Sequence, residues 1–109
     1  MSDKTDRIRE LNDELRQQML GGIAVITPGV AALGSEFVDR VVKTVAVFDD
    51  FHHENDPHQE HDFGAFEVEG QNLFFKIDYY DASLSQHSDD PSNSLITQRV
   101  ITLMLASEY

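Results

Sequence analysis

The sequence predicts an α+β domain with a small, mostly antiparallel sheet. Apolar residues recur at helical spacing in the amino-terminal part of the chain. On either side of Gly70-Gln71, inward apolar residues alternate with other residues, which is typical of a β-hairpin. A chain of 109 residues is long enough for one modest core, so residues 1–109 are expected to form a single domain. The expected elements are a hairpin at 62–80, a strand at 23–27, and helices at about 4–20, 36–48 and 91–107.

The first helix is amphipathic and precedes a short strand. Its apolar side chains repeat along one face at Ile8, Leu11, Leu15 and Met19. Gly21-Gly22 is typical of a helix end. Residues 23–27 are apolar and mostly β-branched, and Pro28-Gly29 follows them, which predicts a buried strand that enters a turn. Residues 30–33 are expected to extend the sheet after that turn.

The second helix is predicted from the spacing of Phe37, Val41, Val45 and Phe48. Gly34-Ser35 offers a start, and Glu36 suits the first helical turn. Because β-branched valines also favour strands, a strand from about Lys43 is the competing prediction.

The hairpin is predicted to turn at Gly70-Gln71 through a type II′ turn. That turn would oppose Phe66 to Phe75 and Gly64 to Ile77, with apolar side chains together on one face. After a loop rich in Ser, Asp and Asn, Asp90-Pro91 resembles a helix start. The final helix is expected to be largely buried, and its apolar residues are Leu95, Ile96, Val100, Ile101, Leu103, Met104 and Leu105.

Charge is concentrated in one part of the chain. The formal net charge is −12, and residues 44–98 hold twelve acids and one base, Lys76, which is a net −11. Such a surface repels phosphate, so direct binding to nucleic acid is not expected. It attracts basic protein surfaces or divalent cations. Solubility is the alternative reason for the charge.

Several classes of protein are excluded or disfavoured. The chain has no cysteine, so it has neither a disulfide framework nor a thiol nucleophile. Its polar start is unlike a signal peptide, and no apolar run approaches the roughly 20 residues of a membrane helix. We therefore expect a cytoplasmic protein that binds neither membrane nor cofactor. No triad, nucleophile elbow or phosphate loop is present, so enzymatic activity is not the favoured reading.

Polar side chains are densest between Asn55 and Phe66. Imidazole and carboxylate groups are metal ligands, so His58, His61 and Asp62 are the candidates for a divalent metal ion, although the spacing matches no established motif. His61 beside Glu60 and Asp62 would alternatively suit general acid–base catalysis. In the simplest reading, these groups only brace the loop.

An acidic binding surface is the favoured interpretation. Exposed aromatics at Phe63, Phe74 and Tyr80 would form an anchor ringed by acids, or would lie beneath a helix. The residues predicted to form the binding surface are Asn55, Asp56, Glu60, His61, Asp62, Glu67, Glu69, Asp78 and Asp81.

Three segments resemble a known family: N-D-P-H-Q-E-H-D-F-G at 55–64, F-K-I-D-Y-Y-D at 75–81 and L-M-L-A-S-E-Y at 103–109. Together they are similar to a group of small bacterial proteins known as a domain of unknown function, common in alphaproteobacteria and their plasmids. Its pattern reads N-D-P-x-G-E-H-D-F-G, and Gln59 stands here in place of the glycine. The resemblance implies no established activity.

Two functional hypotheses follow. In the first, the chain is a small non-enzymatic regulatory protein, carried by a mobile element or its host. It would occupy a basic surface of a nucleic-acid-handling or defence complex, as anti-CRISPR and anti-restriction proteins do. In the second, it is a metal-binding protein or metal-assisted hydrolase centred on Glu60, His61 and Asp62. The sequence leaves the oligomeric state open.

Overall fold

The fold is α+β, with one open, mixed sheet of four strands. The computed structural model describes residues 3–109. The strands run in the order β1-β4-β3-β2; β1 is parallel to β4 and the other neighbours are antiparallel. Their bounds are β1 Ile23–Ile26, β2 Phe63–Val68, β3 Gln71–Tyr80 and β4 Gln98–Leu105.

The helices pack against one face of this sheet, which we call the inner face. The α-helices are α1 Asp3–Gln18, α2 Pro28–Ala31 and α3 Ser35–Val47, and a 3-10 helix spans Ala106–Glu108. Each α-helix contributes buried apolar side chains to one core cluster, because their apolar stripes meet the inward side chains of the strands. Fully buried members are Leu15, Val30, Val41, Val45, Leu73, Phe75, Ile101 and Leu103.

The predicted helices at 4–20 and 36–48 are confirmed as α1 and α3, and the predicted strand at 23–27 is confirmed as β1. The burial predicted for that strand is wrong, because β1 lies at the edge of the sheet and its first three residues are exposed. The competing strand from Lys43 is wrong. Phe37, Val41 and Val45 are all buried on one face of α3, and only helical spacing brings them together. Residues 30–33 do not extend the sheet: the chain after Pro28 forms α2 instead.

The hairpin at 62–80 is confirmed, but its register is displaced. Phe66 opposes Leu73 and Gly64 opposes Phe75, each two residues from the predicted partner. The turn residues are Glu69 and Gly70, both with positive φ, where a type II′ turn at Gly70-Gln71 was expected. Because the side-chain period of a strand is two, this displacement preserves the faces of the strands.

The predicted helix at 91–107 is wrong, since β4 occupies most of that segment. Strand β4 lies between β1 and β3, and it is apolar on both faces because it is central. Ile101 and Leu103 face the core, while Val100 and Met104 lie on the other side. A continuous apolar run lacks the alternation that marks a half-covered strand, so its pattern also fits a buried helix. Leu95, which was assigned to the helix core, is 91% exposed.

The last residues of the chain partly cover the other face of the sheet, which we call the outer face. Phe63 and Phe74 lie on it with ring centroids 5.1 Å apart, and Tyr109 packs edge-on against both. Tyr109 is nevertheless 77% exposed, so this face is only partly covered. Within residues 3–109, no helix combines the length and the apolar character needed to cross a membrane.

Candidate functional site

The segment between α3 and β2, residues 49–62, is here called the acidic loop. It holds six acids and four histidines but neither lysine nor arginine. Fourteen residues without regular secondary structure are long for a connection in a compact domain, and such loops are usually functional or disordered. Side-chain hydrogen bonds hold this loop to itself, to α1 and to β3.

Asp56 is the internal cap of the acidic loop. It is 4% exposed, and its Oδ1 accepts the backbone N–H groups of Glu60 at 3.0 Å and of His61 at 3.1 Å. Gln59 and His61 both adopt left-handed backbone conformations, with φ of 59° and 57°. The carboxylate therefore satisfies donors that a tight turn would otherwise leave without a partner.

Asn55 braces the first half of the loop through both ends of its amide. Its Oδ1 accepts the backbone N–H of His52 at 2.9 Å, and its Nδ2 donates to the carbonyl of Asp50 at 2.8 Å. Asn55 and Asp56 are two of the predicted binding residues, and their side chains form hydrogen bonds within the loop itself.

His61 is held on three sides. Its Nδ1 lies 2.9 Å from Oδ1 of Asp13 on α1, and its Nε2 lies 3.8 Å from Oδ2 of Asp56. Its ring stacks on Phe51 with centroids 3.8 Å apart and an interplanar angle of 5°. These contacts fix the imidazole between two carboxylates, and they join the end of the loop to α1.

Arg16 joins α1 to the start of the loop. Its guanidinium is almost completely buried and donates to the carbonyls of Val45 at 2.9 Å and Phe48 at 2.6 Å, at the end of α3. It also pairs with Asp13 at 2.9 Å and lies over the Phe51 ring. A cation is favourable at a helix carboxyl terminus, where free carbonyls carry partial negative charge.

A buried polar network attaches the other end of the loop to the sheet. Arg99 Nε donates to Oδ1 of Asn12 at 2.9 Å, and Asn12 Nδ2 donates to the Tyr79 hydroxyl at 2.7 Å. Tyr79 donates in turn to Oε1 of Glu60 at 2.7 Å. Burial and the bond to Glu60 raise the pKa of Tyr79 far above its usual range, so the phenol keeps its proton. The loop is therefore connected to the protein core through Glu60.

The surroundings of Asp62 disfavour the charged form of its carboxyl group. Partial burial raises the pKa of Asp62 above its usual range, and the nearby Glu60 carboxylate raises it further. Asp62 shares a depression of about 250 Å³ with Asp78, Tyr80 and His87. Carboxylates of the loop and of β3 therefore meet at this end of the sheet.

The remaining predicted binding residues are dispersed. Glu67 and Glu69 lie at the turn of the hairpin, roughly 15 Å along β2 from the loop, and Glu69 pairs with Arg40 at 2.9 Å. Asp78 pairs with Lys76 at 3.1 Å. Asp81 caps its own turn: its Oδ1 accepts the backbone N–H of Ser83 at 3.1 Å.

The candidate metal ligands do not form a ready-made site. His58 is exposed, and Nδ1 of His61 is already in contact with the Asp13 carboxylate. Across residues 3–109, no group of three or more His, Asp or Glu side chains is arranged to hold a metal ion. Metal binding through His58, His61 and Asp62 stays a prediction.

Within the acidic loop, the acids that remain available to a partner are Asp49, Asp50 and Glu54, which are all exposed. Beside them, a depression of about 280 Å³ is lined in part by Arg9, Phe51 and His61. The loop thus presents carboxylates on a surface whose base is fixed by hydrogen bonds. This arrangement suits electrostatic recognition more directly than proton transfer.

The sequence did not reveal the residues that hold the loop. Asn12, Arg16 and Arg99 are buried although they are polar or charged, and each contacts residues far away in the sequence. Their only indication in the sequence is that α1 carries Asn12 and Arg16 next to the apolar stripe. Spacing alone does not show that either position contacts the loop.

Comparison with known proteins identifies a family without an assigned activity. Residues 26–108 match the model of a family described as protein of unknown function (DUF3768). Neither the curated proteins nor the solved structures include a match to the chain.

Proposed function

The chain belongs to this family of proteins of unknown function, and we propose that it is a small acidic protein-binding module without enzymatic activity. Its acidic loop would occupy a basic surface on a partner protein. The observation that carries the proposal is the charge of residues 44–98, which contain twelve acids and only one lysine or arginine, Lys76. Complementary charge of this kind raises the rate of association and selects the partner.

The exposed carboxylates support the proposal because the fold does not use them. Asp49, Asp50 and Glu54 are exposed on the acidic loop, while Asp56 and Glu60 are committed to internal hydrogen bonds. Solubility alone would not require a long loop to be braced so thoroughly. A fixed array of charges loses less conformational freedom on binding than a flexible one does.

The partner's chemistry follows from the charge. A basic groove that holds nucleic-acid phosphates would accept carboxylates in their place, so we propose a nucleic-acid-handling or defence complex as the target. The protein would act by occupying that groove, as anti-CRISPR and anti-restriction proteins do. The same charge makes direct binding to DNA or RNA unfavourable.

Affinity capture with matched variants tests this proposal. The loop variant changes Asp49→Asn, Asp50→Asn and Glu54→Gln. Its control makes the same change of charge at exposed acids outside the loop, Asp3→Asn, Glu14→Gln and Asp39→Asn. Wild-type protein and both variants are immobilised, and proteins retained from a bacterial lysate are identified at increasing salt.

We expect a basic protein that the wild type and the control retain and the loop variant loses. Retention should weaken with salt because the contact is between exposed charges. If the three proteins retain the same set, or if retention is independent of salt, the acidic loop is not the binding surface.

The alternative function is a metal-binding protein or metal-assisted hydrolase centred on Glu60, His61 and Asp62. A metal ion that binds only the folded state would raise the melting temperature by mass action. Chelator-treated wild type and His61→Ala should be melted with Zn²⁺, Mn²⁺, Ni²⁺, Mg²⁺ and Ca²⁺. A saturable rise that one ion produces and the variant lacks would favour this alternative over the binding module.

A further inference from the structure

Strand β1 forms an edge of the sheet with unused backbone groups. The N–H of Thr27, just after β1, donates to the carbonyl of Leu103 on β4. Since successive residues of a strand point their backbone groups to opposite sides, Val25 also faces β4. The N–H and C=O groups of Ala24 and Ile26 therefore point away from the sheet. They form a short template for another strand.

Strand β1 itself carries none of the charged side chains that commonly protect sheet edges from pairing. One carboxylate lies just past its end, where Glu108 accepts the Thr27 hydroxyl at 2.7 Å and the Gly29 N–H at 2.9 Å. No Asp, Glu, Lys, Arg or His occurs in residues 17–35. The opposite edge, β2, differs: it contains Glu67 and is flanked by Asp62 and Glu69. Charged side chains are a usual means of preventing contact between edges, and here only β2 has them.

The side chains of β1 add an apolar surface beside the free edge. Ile23 and Val25 pair with Val100 and Thr102 and so lie on the outer face of the sheet. They are 38% and 39% exposed, and Leu20 nearby in sequence is 54% exposed. Polar backbone and apolar side chains are thus available along one edge.

We propose that β1 pairs in antiparallel fashion with β1 of a second copy of this chain. A two-fold axis through Val25 would bring Ala24 opposite the partner's Ile26, and Ile26 opposite the partner's Ala24. Each such pair exchanges two backbone hydrogen bonds, so every outward group of the two residues finds a partner. The two sheets would join into one continuous sheet of eight strands.

Charge identifies the second copy as the occupant. Two copies of a chain with net charge −12 repel each other over most of their surfaces. They meet with least repulsion where neither carries charge, and residues 17–35 are the longest such stretch. A basic partner would instead be drawn to the acidic loop, which is remote in sequence from this edge. The proposal is therefore independent of the proposed function.

Sedimentation equilibrium of the full chain over a dilution series tests the pairing. Val25→Lys places two like charges against each other at the two-fold axis. Ala24→Pro removes an N–H that points away from β4, which an edge strand tolerates. Leu95→Lys is the matched control, because Leu95 is 91% exposed and belongs to no strand. Circular dichroism melts identify variants that fail to fold.

We expect wild type and Leu95→Lys to be dimers that dissociate on dilution, and the two β1 variants to be folded monomers. A wild type that is monomeric at every concentration overturns the proposal. So does a dimer that persists in both folded β1 variants, because its interface would then lie elsewhere.

Discussion

At the residue scale, some carboxylates of this chain hold the structure together and others are exposed on the acidic loop. Asp56, Asp81 and Glu108 accept backbone N–H groups and thereby shape turns or join segments. Asp49, Asp50 and Glu54 are exposed on the acidic loop. Residue type does not separate the groups, because an aspartate that caps a turn and one that faces solvent look alike in a sequence.

Asp62 gives the first prediction. Its pKa is raised in the folded state, so ionisation of Asp62 favours the unfolded state once the pH passes its usual value of 3.8. Asp62→Asn should therefore increase the free energy of unfolding at neutral pH. Below pH 3.8, where the carboxyl is protonated in both states, the difference should disappear. Urea titrations across this pH range measure it.

Asp39→Asn, at an exposed position on α3, is the control for that experiment. A loss of stability in Asp62→Asn at neutral pH would mean that the carboxylate makes a favourable contact.

Gln59 gives the second prediction, because it holds a left-handed conformation with φ of 59°. That conformation costs about 1–2 kcal/mol for a residue with a side chain, and glycine recovers part of it after its greater entropy in the unfolded chain. Gln59→Gly should stabilise the protein by about 1 kcal/mol in urea unfolding. The bond that the Gln59 carbonyl accepts from Arg9 is kept, since it belongs to the backbone.

The same substitution at the exposed Gln17, inside α1, is a matched control that should cost about 1 kcal/mol. If both variants lose stability, the turn is not strained at Gln59.

At the element scale, the acidic loop depends on side chains from two other elements, α1 and β3. Asp13 and Arg16 of α1 hold His61 and the end of α3, and Tyr79 of β3 holds Glu60. The loop has no strand or helix of its own, so these side chains supply its order. Its position is therefore a property of the tertiary structure.

Asp56→Ala is the corresponding prediction. The substitution removes the acceptor for two backbone N–H groups in a partly buried turn, so it should reduce stability by about 2 kcal/mol or more. Asp56→Asn keeps one oxygen and should have a smaller effect. Glu54→Ala, at an exposed position of the same loop, should be close to neutral. Thermal and urea unfolding measure all three, and equal losses in Asp56→Ala and Glu54→Ala would contradict the cap.

The sequence predicts the elements whose apolar residues lie on one side, and it fails where residues on both sides are apolar. α1, α3 and the hairpin have clear periods, because one face of each is polar or solvent-facing. β4 has no clear period, since Val100 and Met104 on its outward side are apolar as well, although its β-branched residues Val100, Ile101 and Thr102 were a usable indication. The hairpin partners were displaced because the pattern fixes the face, whereas the turn fixes the register.

The candidate site was predictable in location but not in construction. Local density of polar residues indicated the acidic loop correctly as an unusual segment. The contacts of Asn12 with Glu60 and of Arg99 with Asn12 span 48 and 87 residues, and no local pattern encodes such pairs. The distinction between bracing and exposed acids therefore required the fold.

At the scale of the whole molecule, the acidic residues and the open edge of the sheet lie in different segments of the chain. Acids concentrate in residues 44–98, while residues 17–35 carry no charge and include the open edge at β1. Helices cover the inner face of the sheet, and the outer face is only partly covered by Tyr109. We expect the acidic part to contact a basic partner and the neutral edge to contact a second copy.

The central claim is that the acidic loop takes the place of nucleic acid on a basic protein surface. The most direct test is competition for the captured partner between this protein and duplex DNA or RNA that the partner binds. We predict that wild-type protein displaces the nucleic acid, and that the Asp49→Asn, Asp50→Asn, Glu54→Gln variant does so far less well than its charge-matched control. If partner, protein and nucleic acid instead form a ternary complex, or if both variants compete equally, the claim is contradicted.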